Sequence, residues 1–172
     1  VCRSQCNNGL NVLNNSGNYM SSSNLVGYWN FNEGEGDTVY DQTENGNHGT
    51  IYGATWDEDG APVDPPPPPP DYDNYSLSFT GDADYVNINA TAVFDLSDEQ
   101  ELAISAYIKT TGNNDVVFQA ELSFGYYIGT HNNGEFALTM YFDGFEDLCI
   151  SNTQVTDGNW HHVTGTYNGS EM

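Results

Sequence analysis

From residue 25 onward, apolar and polar side chains alternate in short runs that are separated by Gly, Asn and Asp. The clearest run is LAISAYIKT (102–110), in which Leu102, Ile104, Ala106 and Ile108 occupy alternate positions. Successive side chains of a strand point to opposite faces, so this period of two predicts a β-strand with one apolar face. No long amphipathic helix competes with it, and at most one helical turn fits around Val93 to Glu99.

The same pattern predicts ten strands, at 25–32, 49–54, 75–80, 84–89, 102–110, 115–120, 123–130, 135–143, 147–152 and 160–168. Many short strands with Gly-, Asn- and Asp-rich turns are typical of an all-β, antiparallel two-sheet β-sandwich. Residues 1–24 are rich in Asn, Ser and Gly and show little periodicity, so they predict an extended N-terminal arm. The predicted domain then covers residues 25–172.

Six consecutive prolines at 65–70 lie between two predicted strands. Proline cannot donate to a strand ladder, so this insert should form a polyproline II rod that loops out of the sheets. It could be a stiff surface excursion, a docking segment for an aromatic groove, or a place for sugar attachment after proline hydroxylation.

The excess of acidic over basic residues excludes some classes of binding partner. The chain has 25 Asp and Glu but only two basic residues, Arg3 and Lys109, which gives a formal net charge of −23. Coulomb repulsion disfavours nucleic acid and anionic membrane surfaces as partners and favours cations. Most of these acids should form a solvated surface, while clustered ones suit Ca²⁺.

The cysteines and the asparagine acceptor sites indicate an extracellular protein. Of the three cysteines, Cys2 could pair with Cys6, or either could pair with Cys149. The remaining thiol could join a neighbouring molecule or stay partly buried. Four N-x-Ser/Thr acceptors begin at Asn14, Asn74, Asn89 and Asn168. No run of about 18 apolar residues and no signal segment is visible, so no membrane insertion is expected and the secreted form would be mature or trimmed.

Two turns carry candidate metal ligands. Asp41, Asn45 and Asn47, with the His48-Gly49 backbone, cluster oxygen donors of the kind that Ca²⁺ prefers. An Asx-type turn without a metal is the alternative, because Asn and Asp also bind their own backbone. Asp82 and Asp84 form a second candidate, for which capping of turn amides is the alternative.

The pair His161 and His162 after Trp160 favours a structural role. Adjacent strand residues point to opposite faces, so the two histidines would not share one metal without a bend. Trp160 is then expected to be a core anchor. Among the tyrosines, Tyr126, Tyr127 and Tyr141 could stack on sugar rings if they line a concave face.

Several segments resemble, in order, the concanavalin A-like laminin G family of jelly rolls. They are LVGYWNFNEGEGDTVYDQTENGNHGTIYGATW, YSLSFTGDADYVNI, LAISAYIKT and TDGNWHHVTGTYNGS, which together cover most of 25–170. The resemblance implies a jelly-roll fold and a structural calcium close to the Asp41 turn. The hexaproline insert departs from the family, and the chain ends at a turn after which further closing strands are usual. A fragment, or edges covered by the arm of a neighbouring copy, would explain this.

These observations predict a non-enzymatic extracellular module. The Glu-x-Asp-x-x-Glu strand motif of related glycosidases is absent from the sequence. The favoured role is a self-assembling, glycosylated subunit of a fibre or surface layer that joins copies of itself by β-strand addition. The alternative is a carbohydrate-binding or adhesion module of a larger secreted protein, with glycans as partners.

Overall fold

A computed structural model describes residues 25–61, 74–89, 94–95, 101–120, 125–142 and 145–172. These residues form eleven strands: β1 (Thr38–Val39), β2 (Gly49–Tyr52), β3 (Thr55–Asp57), β4 (Ser76–Ser78), β5 (Tyr85–Ile88), β6 (Leu102–Lys109), β7 (Val116–Ala120), β8 (Tyr126–Thr130), β9 (Glu135–Phe142), β10 (Phe145–Gln154) and β11 (Trp160–Tyr167). All of their pairings are antiparallel. The predicted all-β antiparallel class is therefore confirmed.

The chain divides into two compact units, and each is described by itself. The N-terminal unit contains the described residues up to 89, and the C-terminal unit contains those from 94 onward. The predictions for the arm at 1–24, the prolines at 65–70, Cys2, Cys6 and Asn14 lie outside the described residues, as does most of the helical turn at 93–99. No helix in the described parts of the chain is long and apolar enough to cross a bilayer.

In the N-terminal unit, a three-stranded sheet has the order β1-β2-β5, and β3 pairs with β4. The register sets Thr38 opposite Thr50 and Thr50 opposite Asn87. One face of β2 is covered, because Gly49 is buried and Ile51 is half-buried. The opposite face is exposed at Thr50 and Tyr52. This alternation is the period-two pattern of a half-buried strand.

In the C-terminal unit, β10-β9-β8-β7 form a four-stranded sheet and β11 pairs with β6 over eight residues. The predicted apolar face of β6 is confirmed, since its four alternating side chains all belong to or pack against one core cluster. The buried members of that cluster are Ile108, Ala120, Tyr126, Ile128, Phe136, Leu138, Met140, Val155 and Val163. Apart from Val155, which follows β10, these residues come from both sheets, so the core lies between two stacked layers.

Gly165 shows how closely the two layers approach. It lies on β11 opposite Ile104, and a Cβ atom placed on it would be 3.3 Å from atoms of Ile128 and Leu138. That distance is tighter than ordinary van der Waals contact, so the absence of a side chain lets β11 approach the four-stranded sheet.

The predicted strand at 25–32 is wrong in extent. Only Trp29 forms a bridge there, with Asp41. The backbone N–H of Tyr28 donates to the Asp41 carboxylate rather than to a backbone carbonyl, so the ladder does not continue. Phe31 has a φ of 55°, which turns the chain out of the extended conformation.

Candidate functional site

The side chain of Asp41 is the centre of the loop in which the sequence predicts calcium. Only 5% of its surface is exposed. Its Oδ1 accepts hydrogen bonds from the backbone N–H groups of Tyr28 (3.0 Å) and Thr43 (2.9 Å). Its Oδ2 accepts from the Thr43 hydroxyl (2.8 Å) and the N–H of Asn47 (2.9 Å). Burial alone raises the pKa of Asp41, but these donors together hold that pKa below its ordinary value.

Asn45 and Asn47 fasten the segment that precedes the loop. The Asn45 amide donates to the carbonyls of Leu25 (2.9 Å) and Val26 (3.1 Å), and the Asn47 amide donates to Val26 (2.7 Å). The indole N–H of Trp29 donates back to the Asn47 carbonyl at 2.9 Å. The structure thus brings the three predicted ligands into one loop, where they bind backbone groups.

The contacts of Asp41 test how well this loop fits a cation. A carboxylate offers about four lone-pair sites, and four donors from the protein already use those of Asp41. The bond from the Thr43 N–H is that of an Asx-type turn. The arrangement fits the hydrogen-bonded turn better than a calcium ion held by Asp41, and calcium here stays a prediction.

Asp82 and Asp84, the second pair of candidate metal ligands, do not form a common metal site. Asp84 Oδ2 accepts from the backbone N–H groups of Thr80 (2.7 Å) and Gly81 (3.0 Å), which is turn capping, whereas Asp82 is exposed. Within the ranges that the structure describes, no three His, Cys, Asp or Glu side chains are grouped so that they could hold a metal ion.

Beside the Asp41 loop lies an open depression of about 530 Å³ in the N-terminal unit. It is lined by Asn30, Asn32, Glu33, Tyr40, Asp41, Gln42 and His48. Half of the Tyr40 side chain (51%) is exposed, and its ring meets the His48 ring edge-on with centroids 5.3 Å apart. Amides, an imidazole and an exposed aromatic ring therefore converge on one surface.

Backbone contacts fix the wall of this depression. Glu33 Oε1 accepts the N–H of Tyr40 at 3.0 Å, and the Gln42 amide donates to the Tyr40 carbonyl at 3.0 Å. His48 Nδ1 accepts the N–H of Asp41 at 3.1 Å, so the neutral ring carries its proton on Nε2. Glu33 Oε2 is shielded from solvent and has no hydrogen-bond partner among the described residues. The wall is thus rigid where it meets Tyr40 and holds one unused acceptor.

The three tyrosines proposed for stacking have different environments. Tyr126 is 2% exposed in the core, and burial raises its pKa to about 12. Tyr127 is half-buried, whereas Tyr141 is 41% exposed, and their rings lie 6.1 Å apart. Burial, and then the proximity of Tyr127 and Glu146, raise the pKa of Tyr141. Tyr126 is therefore a core residue, and only Tyr141 is an exposed ring.

The histidines after Trp160 differ as the strand geometry predicts. His161 Nε2 lies 2.8 Å from Asp157 Oδ1, and this hydrogen bond is the largest cause that lowers the pKa of Asp157. His162 packs against Tyr107 with ring centroids 4.7 Å apart, and burial lowers its pKa. Trp160 is half-buried. The two imidazoles have separate partners.

The predicted modification sites also have defined surroundings. Cys149 is half-buried on β10, opposite Leu138. Asn89 and Asn168 are exposed. Asn74 is half-buried and its amide nitrogen donates to the Ala61 carbonyl at 2.7 Å. Glycosylation and disulfide pairing stay predictions.

Sequence reasoning missed most of the depression. Asn30 and Asn32 lie in a different segment of the sequence from Tyr40 and Gln42, and the hydrogen bond from Tyr28 to Asp41 brings the two segments together. The alternation of His48, Thr50 and Tyr52 predicts a shared face, but of these three residues only His48 lines the depression.

Comparison with known proteins identifies the family. The laminin G family described as the concanavalin A-like lectin/glucanases superfamily matches residues 80–172, which is more than half of the chain. The residues that line the depression precede the matched segment. Comparison with curated proteins and with solved structures gives no match. The protein therefore belongs to the laminin G-like, concanavalin A-like lectin/glucanases superfamily, whose β-sandwich jelly roll the sequence predicted.

Proposed function

We propose that the chain is a non-enzymatic module that binds neutral carbohydrate in the depression beside Asp41. The observation that carries the proposal is the exposed Tyr40 ring next to the side chains of Asn32, Gln42 and His48. Planar amides bind paired hydroxyl groups, and an aromatic ring packs on the apolar face of a sugar. The unused Glu33 acceptor beside Tyr40 favours a ligand rich in O–H donors.

The charge of the chain supports a neutral ligand. With a formal net charge of −23, uronic or sulfated glycans would be repelled. Members of the matched superfamily include lectins by its description, which supports binding but does not specify a sugar.

Binding can be tested by affinity electrophoresis and calorimetry with the whole chain and a panel of neutral polysaccharides. We expect Tyr40→Ala and Gln42→Ala to weaken binding by about fivefold each, since each removes a contact worth on the order of 1 kcal/mol. Asn152→Ala is the control, because Asn152 is exposed on β10 in the other unit. Equal binding by all variants would refute the site.

We propose no hydrolytic activity at this site. Glycoside hydrolysis needs two carboxyl groups, one of them protonated as the acid. Of the two carboxylates that line the depression, Asp41 is held ionised and its oxygens are already used. Reducing ends that accumulate when the protein is incubated with a polysaccharide it binds would contradict this proposal.

Assembly by β-strand addition is the second candidate. It is supported by the order β10-β9-β8-β7, in which β7 is an outer strand among the described residues and carries Val116 at 55% exposure. Sedimentation and electron microscopy should then reveal filaments. Val116→Lys should abolish them, whereas Val26→Lys, at an exposed position outside the strands, should not. A monomer at all concentrations would refute this candidate.

The extracellular, glycosylated state is also a proposal. Domains of this family are commonly extracellular, and the acceptors at Asn89 and Asn168 are exposed. Protein secreted from a glycosylating host should lose mass on enzymatic deglycosylation. Asn168→Gln should remove one increment of that mass, and a secreted protein of unmodified mass would contradict the proposal.

Calcium at the Asp41 loop can be tested separately. If the ion binds there, millimolar CaCl₂ should raise the melting temperature relative to EDTA, and Asp41→Asn should remove the difference. Equal melting temperatures in both buffers would support the hydrogen-bonded turn instead.

A further inference from the structure

The exposed face of the β1-β2-β5 sheet continues from the depression. His48 lines the depression, and Thr50 and Tyr52 follow it at alternate positions along β2. Alternate residues of a strand share a face, so Thr50 and Tyr52 form one row, and His48, one residue before β2, continues the same spacing to the depression. At roughly 3.3 Å per residue the row from His48 to Tyr52 is about 13 Å long.

The far end of this face carries two stacked aromatic rings. Tyr52 and Tyr85 are direct cross-strand partners on β2 and β5. Their ring centroids are 4.8 Å apart with an angle of 20° between the planes, and the side chains are 45% and 51% exposed. Each ring fixes the other, so a ligand that packs on this pair orders few additional rotamers.

Between the two ends lies a neutral polar row. Thr38, Thr50 and Asn87 are neighbours across the three strands. Hydroxyl and amide groups both donate and accept hydrogen bonds. Thr38, Thr50, Tyr52, Tyr85 and Asn87 are the strand positions of this face, and Tyr40 and His48 connect it to the depression. We call these seven residues the sheet platform, and no acid is among them.

The acid next to Tyr85 in the sequence already accepts hydrogen bonds from the backbone. Asp84 precedes Tyr85, and its Oδ2 accepts two backbone N–H groups of the turn that starts at Thr80. In a chain with 25 acidic residues, the strand positions of this face carry no carboxylate, which matches an uncharged ligand rather than a basic peptide. Of the two acids that line the depression, Asp41 already accepts four hydrogen bonds from the protein.

We propose that the sheet platform binds an extended neutral oligosaccharide, which runs from the depression along β2 to the Tyr52–Tyr85 pair. This inference depends on the proposed carbohydrate binding and specifies its ligand class: a chain of several sugars rather than a terminal one. The depression binds one end through amides, the central row binds hydroxyl groups, and the tyrosine pair packs on a sugar ring at the other end.

The test compares ligand lengths in calorimetry, with cellobiose and cellohexaose and with the corresponding β-1,3-linked glucose oligomers as probes. The wild-type protein should bind a hexasaccharide more tightly than its disaccharide. Tyr52→Ala and Tyr85→Ala should each lower the hexasaccharide affinity by about fivefold to tenfold and leave the disaccharide affinity unchanged. Tyr52→Phe keeps the aromatic ring and should bind the hexasaccharide as tightly as the wild type does. The melting temperature of each variant checks that it is folded.

Phe79→Ala is the matched control, because Phe79 is 54% exposed but lies outside the platform. If both ligand lengths bind equally, or if the tyrosine variants bind the hexasaccharide as the wild type does, the platform is refuted while the depression stands. If no oligomer of either series binds the wild type, the platform is refuted for these ligands, and the panel of neutral polysaccharides decides separately whether the depression binds sugar. A polylysine probe that binds the wild type but not the tyrosine variants, in a salt-dependent manner, would show that the face binds cations and would also refute the inference.

Discussion

At the scale of single residues, Asp41 organises the loop that forms the depression. Its carboxylate binds three N–H groups and one hydroxyl, from Tyr28, Thr43 and Asn47. Hydrogen bonds to a charged group stabilise more than neutral ones, and a buried donor left without a partner is costly. One side chain therefore connects residue 28 to residues 43–47.

Replacement of Asp41 by Ala should lower the free energy of unfolding by about 2 to 3 kcal/mol at pH 7, because these donors lose their acceptor. Since folding lowers the pKa of Asp41, its stabilisation is present above the unfolded pKa of about 3.9 and is lost as the pH falls through the folded value. Urea unfolding at pH 7 and pH 3 checks both points. Asp82→Ala, at an exposed position, is the control, and equal losses in the two variants would contradict the role of Asp41.

His162 gives a second pH dependence. Burial lowers its pKa, so the unfolded chain binds a proton first as the pH falls below about 6.5, and stability decreases in that range. His162→Phe should make the melting temperature less dependent on pH between 7 and 5 than it is in the wild type. Tyr107→Phe keeps His162 and its ring contact and should keep the dependence. Identical pH profiles in the wild type and His162→Phe would contradict this assignment.

The limits of the sequence are visible at Asp41. Its position before a Gly- and Asn-rich turn indicated an important oxygen donor, and the structure places it at the centre of the loop. The pattern could not separate a metal ligand from a turn acceptor, because both roles use the same oxygen atoms. The partner N–H of Tyr28 comes from 13 residues away, and no local spacing predicts it.

At the scale of elements, the C-terminal sandwich depends on the close approach of β11 to β8 and β9. Gly165 provides the space, and Ile128, which is completely buried, fills the opposite side. Side chains of the two layers interdigitate at native packing density, so added atoms must displace their neighbours.

Gly165→Val should therefore destabilise the protein by about 1 to 3 kcal/mol through overpacking. Thr164→Val places the same side chain at the adjacent position, which is exposed, and should change stability by less than about 0.5 kcal/mol. Denaturant unfolding followed by tryptophan fluorescence measures both. A Gly165→Val variant as stable as the wild type would show that the two layers can separate without cost.

Strands were predicted best where the alternation of apolar and polar residues continues over many positions. β6 has eight residues and a clear alternation, and its core face was correct. β1, β3 and β4 have two or three residues, too few to show a period. β1 and β3 were not predicted, and β4 fills only half of the predicted strand 75–80. The segment 25–32 has residues with a high β-strand propensity. Its Tyr28 N–H nevertheless donates to the Asp41 carboxylate, and this tertiary contact overrides the local propensity.

At the scale of the whole molecule, the formal charge of −23 opposes compaction. An increase of NaCl from about 10 mM to about 150 mM shortens the Debye length from about 30 Å to about 8 Å. The melting temperature should therefore rise by several degrees over this range of NaCl concentration. Calorimetric scans check this, with sucrose at equal osmolality as the uncharged control. A fall in the melting temperature with salt would indicate that attractive pairs dominate.

The protein is strongly anionic, but the sheet platform that is proposed to bind sugar carries no charge. This combination affects how densely copies of the protein can bind along one polysaccharide. Copies attached side by side to one uncharged polysaccharide would repel each other over roughly a Debye length, so they would be spaced out rather than clustered. High ionic strength would remove this spacing and allow denser coverage of the same strand. Occupancy per unit length of polymer would then rise with salt, while the affinity of each isolated copy would change little.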